Sequence, residues 1–476
     1  MLIALYLILN IAYHTSMKQR FIVFIFLICS ITVTDVLAQP LNNYIPVNND
    51  SLQLLKLKNS IRDKYLKDST GVSGDFKKDL REFYKDRYDY LADMFKNKEF
   101  FYSKETNTYL NALVSQIIDN NPELKQLGSR VLFSRAFWPN AASVGEGTIF
   151  FNFGLFTKLQ NESQVVFVLC HELAHLYQDH SNKAVFQYLN TVNSAEFQAQ
   201  LKEIKKMKYE KNKELNKLEK GFTFKSRRHG RDHESEADSV GLSFFKNTGY
   251  DLQEVLTGMA LLDEIDKDNY NTTTGLQQHF NFAEYPFNKN WLKKEEGFFG
   301  GLPDKSINNK ERDSLKTHPD CKARVAKLKP MVEQLNNAGR KKFVVGQTEF
   351  ERLNRDLKFE IIQFCFEADW VSRCLYQTLE MLENEPDNIY LVTMVGKCFN
   401  AFYSNQKNHT LNRIVQLPSP YFDKNYDILL QFIQNISLGT IAALNYHFLN
   451  KYKPAMNGHA GFDKELNIAL KNFNNK

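Results

Sequence analysis

The sequence predicts an α+β fold that is mostly helical, with one short strand segment and an α-helical C-terminal region. Helices are predicted before residue 128 because apolar residues recur at helical spacing, for example from Asp79 to Phe95 and from Thr108 to Ile118. Strands are predicted at Val131 to Phe133 and at Thr148 to Phe153, two short apolar runs separated by turn-forming residues. After about residue 343 the pattern is helical only, which indicates a separate helical domain.

The composition is that of a globular protein. The chain has 476 residues, which is long enough for two or three domains with substantial cores. Its apolar content of 43% and charged content of 24% exclude a disordered chain. The net charge of +6 is small and spread along the sequence without a basic patch of interleaved aromatic residues, so we expect no nucleic-acid partner. Disulfide pairing stays open among the last three cysteines, Cys365, Cys374 and Cys398.

The N-terminus has the features of a secretory leader. Met17 to Arg20 is a basic start, Phe21 to Ile31 is apolar, and Val36 to Ala38 offers the small residues of a cleavage site. Residues 1–38 are therefore predicted to be a signal peptide, with Met17 as a possible true start. A membrane anchor formed by residues 1–34 is the alternative. We expect an exported protein that is periplasmic or envelope-associated.

The most specific motif is His171-Glu172-Leu173-Ala174-His175, inside an apolar run that is predicted to be a helix from Glu162 to His180. Residues four apart lie on one face of a helix, so His171 and His175 can bind one ion. Glu172 projects beside them, where its carboxylate can take a proton from water activated by a metal. The motif indicates a zinc hydrolase. The alternative is a buried helix whose histidines are satisfied by neighbouring groups.

A catalytic zinc ion usually takes three protein ligands, so a third must come from elsewhere in the chain. The metzincin arrangement requires glycine and histidine where this chain has Gln178 and Ser181. The gluzincin arrangement takes a Glu from a later helix with an Asp four residues on, and Glu234 with Asp238 meets this requirement. Glu234 is therefore the predicted third ligand, and Asp238 the residue that orients a ligand imidazole. Glu236 points away from Glu234 and is a poorer candidate. An acidic helix start is the alternative for this segment.

Four ordered segments resemble the HtpX-like and Ste-type (CAAX-protease-like) zinc metallopeptidases over roughly residues 70–330. They are Asn161 to His180, Glu234 to Gly241, the stretch Pro139-Asn140-Ala141 with Gly147 and Gly154-Leu155, and Thr317-His318-Pro319 with Arg324. The resemblance implies a compact zincin core of the gluzincin type, with a substrate along the edge strand near Thr148 to Phe153. Soluble exported members with a helical repeat tail, of the BepA type, fit best, and these work in envelope protein quality control.

Together the motifs predict an exported zinc endopeptidase that hydrolyses protein or peptide substrates. One zinc ion per chain is expected on His171, His175 and Glu234, with Glu172 as the general base that later protonates the leaving amine. A non-proteolytic or latent scaffold, chaperone-like in its use of the helical C-terminal domain, is the alternative function.

Other polar residues have less definite predicted roles. His318 has three interpretations: a catalytic donor to the oxyanion, a gating zinc ligand, or a cap for the following helix. A donor near Asn140 is the alternative for the oxyanion. His180, His229 and His233 are expected to be structural or surface residues.

The predicted organisation is a leader, a metallopeptidase domain at 39–342 and a helical domain at 343–476. A charged helical insertion is predicted at about 181–228, since charges alternate with sparse apolar residues from 197 to 220. The C-terminal domain has a possible tetratricopeptide-like character, because Cys365 to Leu382 and Ile389 to Tyr403 are predicted helices joined by a proline-containing turn. Residues 197–220 or 343–476 are the candidate contacts with a membrane surface or an envelope protein partner.

Overall fold

The computed structural model describes residues 43–207, 209–265, 270–293, 321–419 and 422–475, with the backbone alone at 211, 213 and 215–229. The predicted signal peptide and His318 lie outside the described residues. Among the described helices, none is by itself long and apolar enough to cross a membrane. One bent pair, Lys424–Asn435 with Leu438–Met456, passes that test by length and composition.

The first part of the chain folds around one central helix. Its helices are α1 (Ser51–Gly71), α2 (Lys77–Lys96), α3 (Lys104–Asp119), α4 (Phe153–Phe156), α5 (Glu162–Tyr177), α6 (His180–Val192), α7 (Ala195–Lys206), α8 (Lys211–Phe245), α9 (Gln253–Glu264), α10 (Thr272–Phe280) and α11 (Cys321–Glu333), with 3-10 turns at Pro122–Leu127 and Lys289–Leu292. The helices predicted before residue 128 are confirmed within α2 and α3. The central helix is α5, in which every residue from Glu162 to Ala174 is buried. It carries the predicted metal motif.

Four strands form one small sheet beside α5. They are β1 (Phe100–Phe101), β2 (Arg130–Ser134), β3 (Ala141–Ser143) and β4 (Thr148–Asn152), in the order β1-β2-β4-β3. β2 and β4 are parallel, while β1 and β3 run antiparallel to their neighbours. The predicted mostly helical α+β class with a short strand segment is confirmed.

The expectation that the edge strand lies near Thr148 to Phe153 is wrong. β4 is an inner strand between β2 and β3, and all five of its residues are buried. Its apolar run without alternation is typical of a strand that is covered on both faces. The edge strand on this side of the sheet is the short β3.

After residue 343 the regular secondary structure of the described residues is helical. It forms α12 (Gln347–Glu367), α13 (Val371–Leu382), α14 (Ile389–Lys407), α15 (Lys424–Asn435), α16 (Leu438–Met456) and α17 (Ala460–Asn474), with a 3-10 turn at Leu411–Arg413. The single helix predicted from Cys365 to Leu382 is wrong, because the chain turns at Asp369, with a φ of 61°, between α12 and α13.

One apolar core continues from the first part of the molecule into the C-terminal helices. Phe156 of α4 and Phe350 of α12, for example, lie with ring centroids 5.4 Å apart. The predicted charged insertion is helical in its described residues, as α6, α7 and the first half of α8. The domain boundary at 342/343 and the repeat character of the tail stay predictions.

Candidate metal centre

The motif helix α5 has a capped start and a buried middle. Asn161 precedes it, and the Asn161 side-chain oxygen accepts a hydrogen bond from the backbone N–H of Gln164 at 3.1 Å. Further along, His171 and Glu172 are only 4% and 2% exposed. Buried polar groups of this kind require partners, because leaving them unpaired away from water costs free energy. The partners come from α8, α11 and the sheet edge.

Gly241 lets the long helix α8 come close to α5. A Cβ atom at this position would lie only 3.1 Å from the backbone of His171, so a larger side chain would push the two helices apart. Glu234 and Asp238 precede Gly241 by seven and three residues, on the same face of α8. Both carboxylates are therefore directed at the point where His171 meets α8.

Three side chains converge as the sequence predicts. His171 Nε2 and His175 Nε2 are 3.0 Å apart, and oxygens of the Glu234 carboxylate lie 3.6 Å from the first and 3.4 Å from the second. Ligand atoms on a tetrahedral zinc ion, with bonds of roughly 2.0–2.2 Å, are about 3.3 Å apart. The observed triangle is within a few tenths of an ångström of that spacing. Donor type and geometry therefore fit one zinc ion.

Asp238 and Arg324 support the His171 side of this ligand triangle. His171 Nδ1 lies 3.0 Å from Asp238 Oδ1, so its N–H can donate to that carboxylate while Nε2 keeps a lone pair for an ion. Arg324 of α11 donates to both Asp238 oxygens, at 2.7 and 2.6 Å, and its Nη1 lies 3.0 Å from Glu234 Oε2. One arginine therefore holds both carboxylates of α8 in place.

The charges of this cluster favour a cation at His171. Burial alone would lower the pKa of His171, but the Asp238 and Glu234 carboxylates raise it to about 10. Burial would likewise raise the pKa of Asp238, but Arg324 and His171 lower it to about 2, so Asp238 is ionised at neutral pH. Either a proton or a metal ion on His171 can balance the negative charge of these carboxylates, and the two compete for the same imidazole.

Glu172 is anchored to the free edge of the sheet. Its Oε2 accepts the backbone N–H of Ser143 in β3 at 2.8 Å. On either side of β3, Asn140 and Val144 form hydrogen bonds with β4 instead. Because successive residues of a strand face opposite ways, Ala141 and Ser143 turn their N–H and C=O groups toward the outer edge. The predicted general base therefore lies beside the outward-facing backbone groups of β3 and binds one of them, the Ser143 N–H.

His180 is not a surface residue, contrary to one of the two expected possibilities. Its ring is buried, with Nδ1 at 2.9 Å from His175 Nδ1 and Nε2 at 3.1 Å from Glu236 Oε2. The ring also stacks on that of His233, with centroids 4.3 Å apart. Burial lowers the pKa of His180 below its ordinary value, and the Glu236 carboxylate only partly offsets this. Glu236 is therefore not part of the ligand triangle, but it contacts His180, which in turn contacts the ligand residue His175.

Other predicted residues are less informative. His318 lies outside the described residues, and the side chain of His229 is not described. Of the last three cysteines, Cys374 and Cys398 lie with Sγ atoms 3.6 Å apart as buried free thiols. Arg324 belongs to the fourth resembling segment, but sequence reasoning assigned it no role, since its partners are far away in the chain.

The site combines two histidines on one helix with a candidate third ligand from another, an arrangement that is typical of zinc metallopeptidases. Residues 104–332 match the model of peptidase family M48, from the start of α3 almost to the end of α11. This match supports an M48-family metallopeptidase, and peptidases of that family are zinc-dependent. No curated protein sequence matches the chain.

Proposed function

We propose that the chain is a zinc-dependent endopeptidase. The observation that carries this proposal is the triangle of His171, His175 and Glu234 beside a buried Glu172 that is anchored to a free strand edge. His171, His175 and Glu234 would hold the zinc ion, which would supply Lewis acidity to the scissile carbonyl and to the attacking water. Peptide binding and proton transfer are carried out by side chains and backbone groups of the protein.

An extended peptide is the substrate that fits the β3 edge. The N–H and C=O of Ala141 and the C=O of Ser143 face outward, while the Ser143 N–H is held by Glu172, and a peptide can add to this edge through main-chain hydrogen bonds. Main-chain recognition depends little on side chains, so it suits a protease with many substrates. Folded proteins seldom expose an extended segment, so this edge favours unfolded chains. That preference supports a role in protein quality control.

Glu172 handles the proton in this mechanism. Its carboxylate accepts a proton from the attacking water and later passes it to the nitrogen of the leaving amine. The Ser143 N–H holds Oε2 against β3, so the transfer takes place at a fixed position beside the peptide backbone. Asp238 and Arg324 keep His171 and Glu234 oriented while the proton moves.

We further propose that the protein is an exported, HtpX- or BepA-like peptidase of the cell envelope. The leader-like residues 1–38, the four resembling segments and the helical tail support this placement. Residues 197–220 or 343–476 are the proposed contacts with a membrane surface or an envelope protein. N-terminal sequencing of the mature protein is expected to start at Gln39, and a chain that still begins at Met1 or Met17 would contradict cleavage.

The catalytic proposal is tested with purified protein, fluorescein-labelled casein as an unfolded substrate, and metal analysis. Glu172→Gln is expected to keep its zinc and lose roughly 10²–10⁴-fold in cleavage rate, because only the proton carrier is removed. Glu234→Gln is expected to lose zinc and activity together, because a metal ligand is removed. Glu203→Gln, an exposed carboxylate of α7, is the control that should change neither.

Two outcomes would contradict the proposal in different ways. Equal zinc content in Glu234→Gln and the wild type would remove the third ligand. A zinc-loaded wild type that leaves casein and other unfolded proteins intact would support the non-proteolytic alternative.

A further inference from the structure

We propose that His180 and Glu236 are positioning residues for the zinc ligand His175, linked to it by a relay of two hydrogen bonds. The inference rests on the proposed function, because it concerns the same ion. It adds an outer support on the His175 side that corresponds to Asp238 and Arg324 on the other side. Neither His180 nor Glu236 belongs to the ligand triangle.

A turn in the chain brings His180 to His175. In a continuous helix, a residue five positions further on lies about 140° around the axis, on a different face. Here α5 ends at Tyr177, and Asp179 adopts a left-handed conformation with a φ of 55° before α6 begins at His180. Aspartate is one of the few residues that tolerate this conformation. The turn redirects the chain so that the first ring of α6 contacts the last motif residue of α5.

The hydrogen-bond geometry allows one proton arrangement that is compatible with metal binding. His175 must keep the lone pair of Nε2 for the ion, so its proton is on Nδ1. That N–H points at His180 Nδ1, 2.9 Å away, which must therefore be an acceptor. The single ring proton of His180 is then on Nε2, where it donates to Glu236 Oε2 at 3.1 Å. Glu236 thereby selects the His180 tautomer, and His180 selects the metal-binding tautomer of His175.

The opposite arrangement disables the ligand. A proton on His180 Nδ1 would require His175 Nδ1 to accept it, and the His175 proton would then occupy Nε2. The Nε2 lone pair would no longer face His171 and Glu234. The relay is therefore specific in direction, from a carboxylate at the protein surface, 45% exposed, through a buried imidazole to the ligand. A ring that only filled space would not need both nitrogens aligned in this way.

The test measures zinc affinity, by competition with a chromophoric chelator, in full-length variants. His180→Asn places an oxygen near the Nδ1 position and is expected to bind zinc within a few-fold of the wild type. His180→Gln reaches the Nε2 position instead and leaves His175 without its acceptor. It is expected to lose roughly 10–100-fold in affinity, as is His180→Phe. Glu236→Leu is expected to show a smaller loss in the same direction, since the tautomer of His180 is then unselected.

The visible spectrum of the cobalt-substituted protein gives a second readout, since it reports ligand geometry and should change in His180→Gln but not in His180→Asn. His409→Asn, at an exposed histidine in a left-handed turn, is the matched control for loss of an imidazole. Thermal unfolding of each metal-free variant identifies any that fail to fold. Because both variants lack the imidazole ring, a difference in zinc affinity between His180→Asn and His180→Gln cannot be caused by loss of the ring itself.

Equal zinc affinity in His180→Asn and His180→Gln would overturn the relay. A different result, in which His175→Ala binds zinc as tightly as the wild type, would instead refute the ligand triangle and with it the proposed function. Wild-type affinity in His180→Phe together with loss of binding in His175→Ala would confine the failure to the relay.

Discussion

Carboxylates cluster at both ends of helix α5, but the groups that they contact differ between the two ends. At the start of the helix, Glu162 is fully buried and accepts the hydroxyls of Tyr109 and Tyr250 at 2.9 and 3.2 Å. It also accepts the backbone N–H groups of residues 344–346 at 2.7, 2.9 and 2.7 Å. Five donors converge on one carboxylate. Its oxygens are occupied by groups of the fold itself.

A second carboxylate beside the helix start follows the same rule. Glu254 of α9 accepts the side-chain amides of Asn161 and Gln164, each at 2.9 Å, and the hydroxyl of Thr257 at 2.6 Å. Lys342 pairs with its other oxygen at 2.6 Å. These contacts join the cap of α5, α9 and the segment that leads to the C-terminal helices.

The other end of α5 shows the opposite arrangement. Glu234 contacts Arg324, but its oxygens also converge with two imidazole nitrogens on a single point in space. The residue type is the same at both ends, so the partners decide the role. A carboxylate saturated by N–H and O–H donors stabilises the fold, whereas one aligned with lone pairs of other groups creates a site for a cation.

Glu162→Gln is the largest test of this comparison. The amide NH₂ of glutamine would face N–H donors, so we expect the free energy of unfolding to fall by about 3 kcal/mol. Zinc content and cleavage rate should stay at wild-type values well below the unfolding transition. Chemical denaturation with a metal assay measures both. Glu196→Gln, an exposed first-turn glutamate of α7, controls for the helix dipole, and a comparable loss in that variant would contradict the interpretation.

Asp238→Asn probes the metal end by removing charge without changing size. The asparagine presents a donor to Arg324 or to His171, so the imidazole loses its fixed orientation. We expect zinc affinity to fall roughly 10–100-fold, measured by chelator competition. Glu254→Gln should leave zinc affinity unchanged, because it acts at the opposite end of α5. If both variants weakened zinc equally, the two ends would not be functionally distinct.

Glu254→Gln is expected to have the smallest effect, and the pH dependence of its stability provides the test. Burial would raise its pKa, but Lys342, Thr257, Asn161 and Gln164 lower it to about 2, below an ordinary value near 4.5. A lowered pKa contributes stability that is complete above the ordinary value and is lost as the pH falls toward the folded value. At pH 6 we expect the free energy of unfolding of the wild type to be higher than that of Glu254→Gln by on the order of 1–2 kcal/mol. This difference should narrow between pH 4.5 and 2.5. A constant gap in denaturant titrations would exclude an ionised Glu254 as the cause.

The sequence was sufficient for features that depend on local spacing. The helical period brings His171 and His175 to one face, and the four-residue spacing of Glu234 and Asp238 does the same on α8. The close approach of these two helices depends on Gly241, whose importance becomes visible only once α5 and α8 are paired. The role of Arg324 also depends on that pairing.

Features that depend on chain reversal or on strand order were missed. His180 follows a left-handed turn at Asp179, and a helical pattern that continues to residue 180 hides it. The edge strand Ala141–Ser143 contains small residues with little strand preference, so no apolar run marks it, and the edge implied by the resemblance falls on β4 instead. Strand order is a property of the folded chain, and neither run encodes it locally.

The five donors on Glu162 also tie the start of α5 to a distant part of the chain. Three of them come from residues 344–346, far downstream of the metal motif in the growing chain. Until those residues have docked, the start of α5 holds a buried carboxylate without its main partners. We expect a chain that ends at residue 342 to bind zinc poorly, which a metal assay on that fragment would show. The metal site would then depend on residues that lie beyond the predicted metallopeptidase domain.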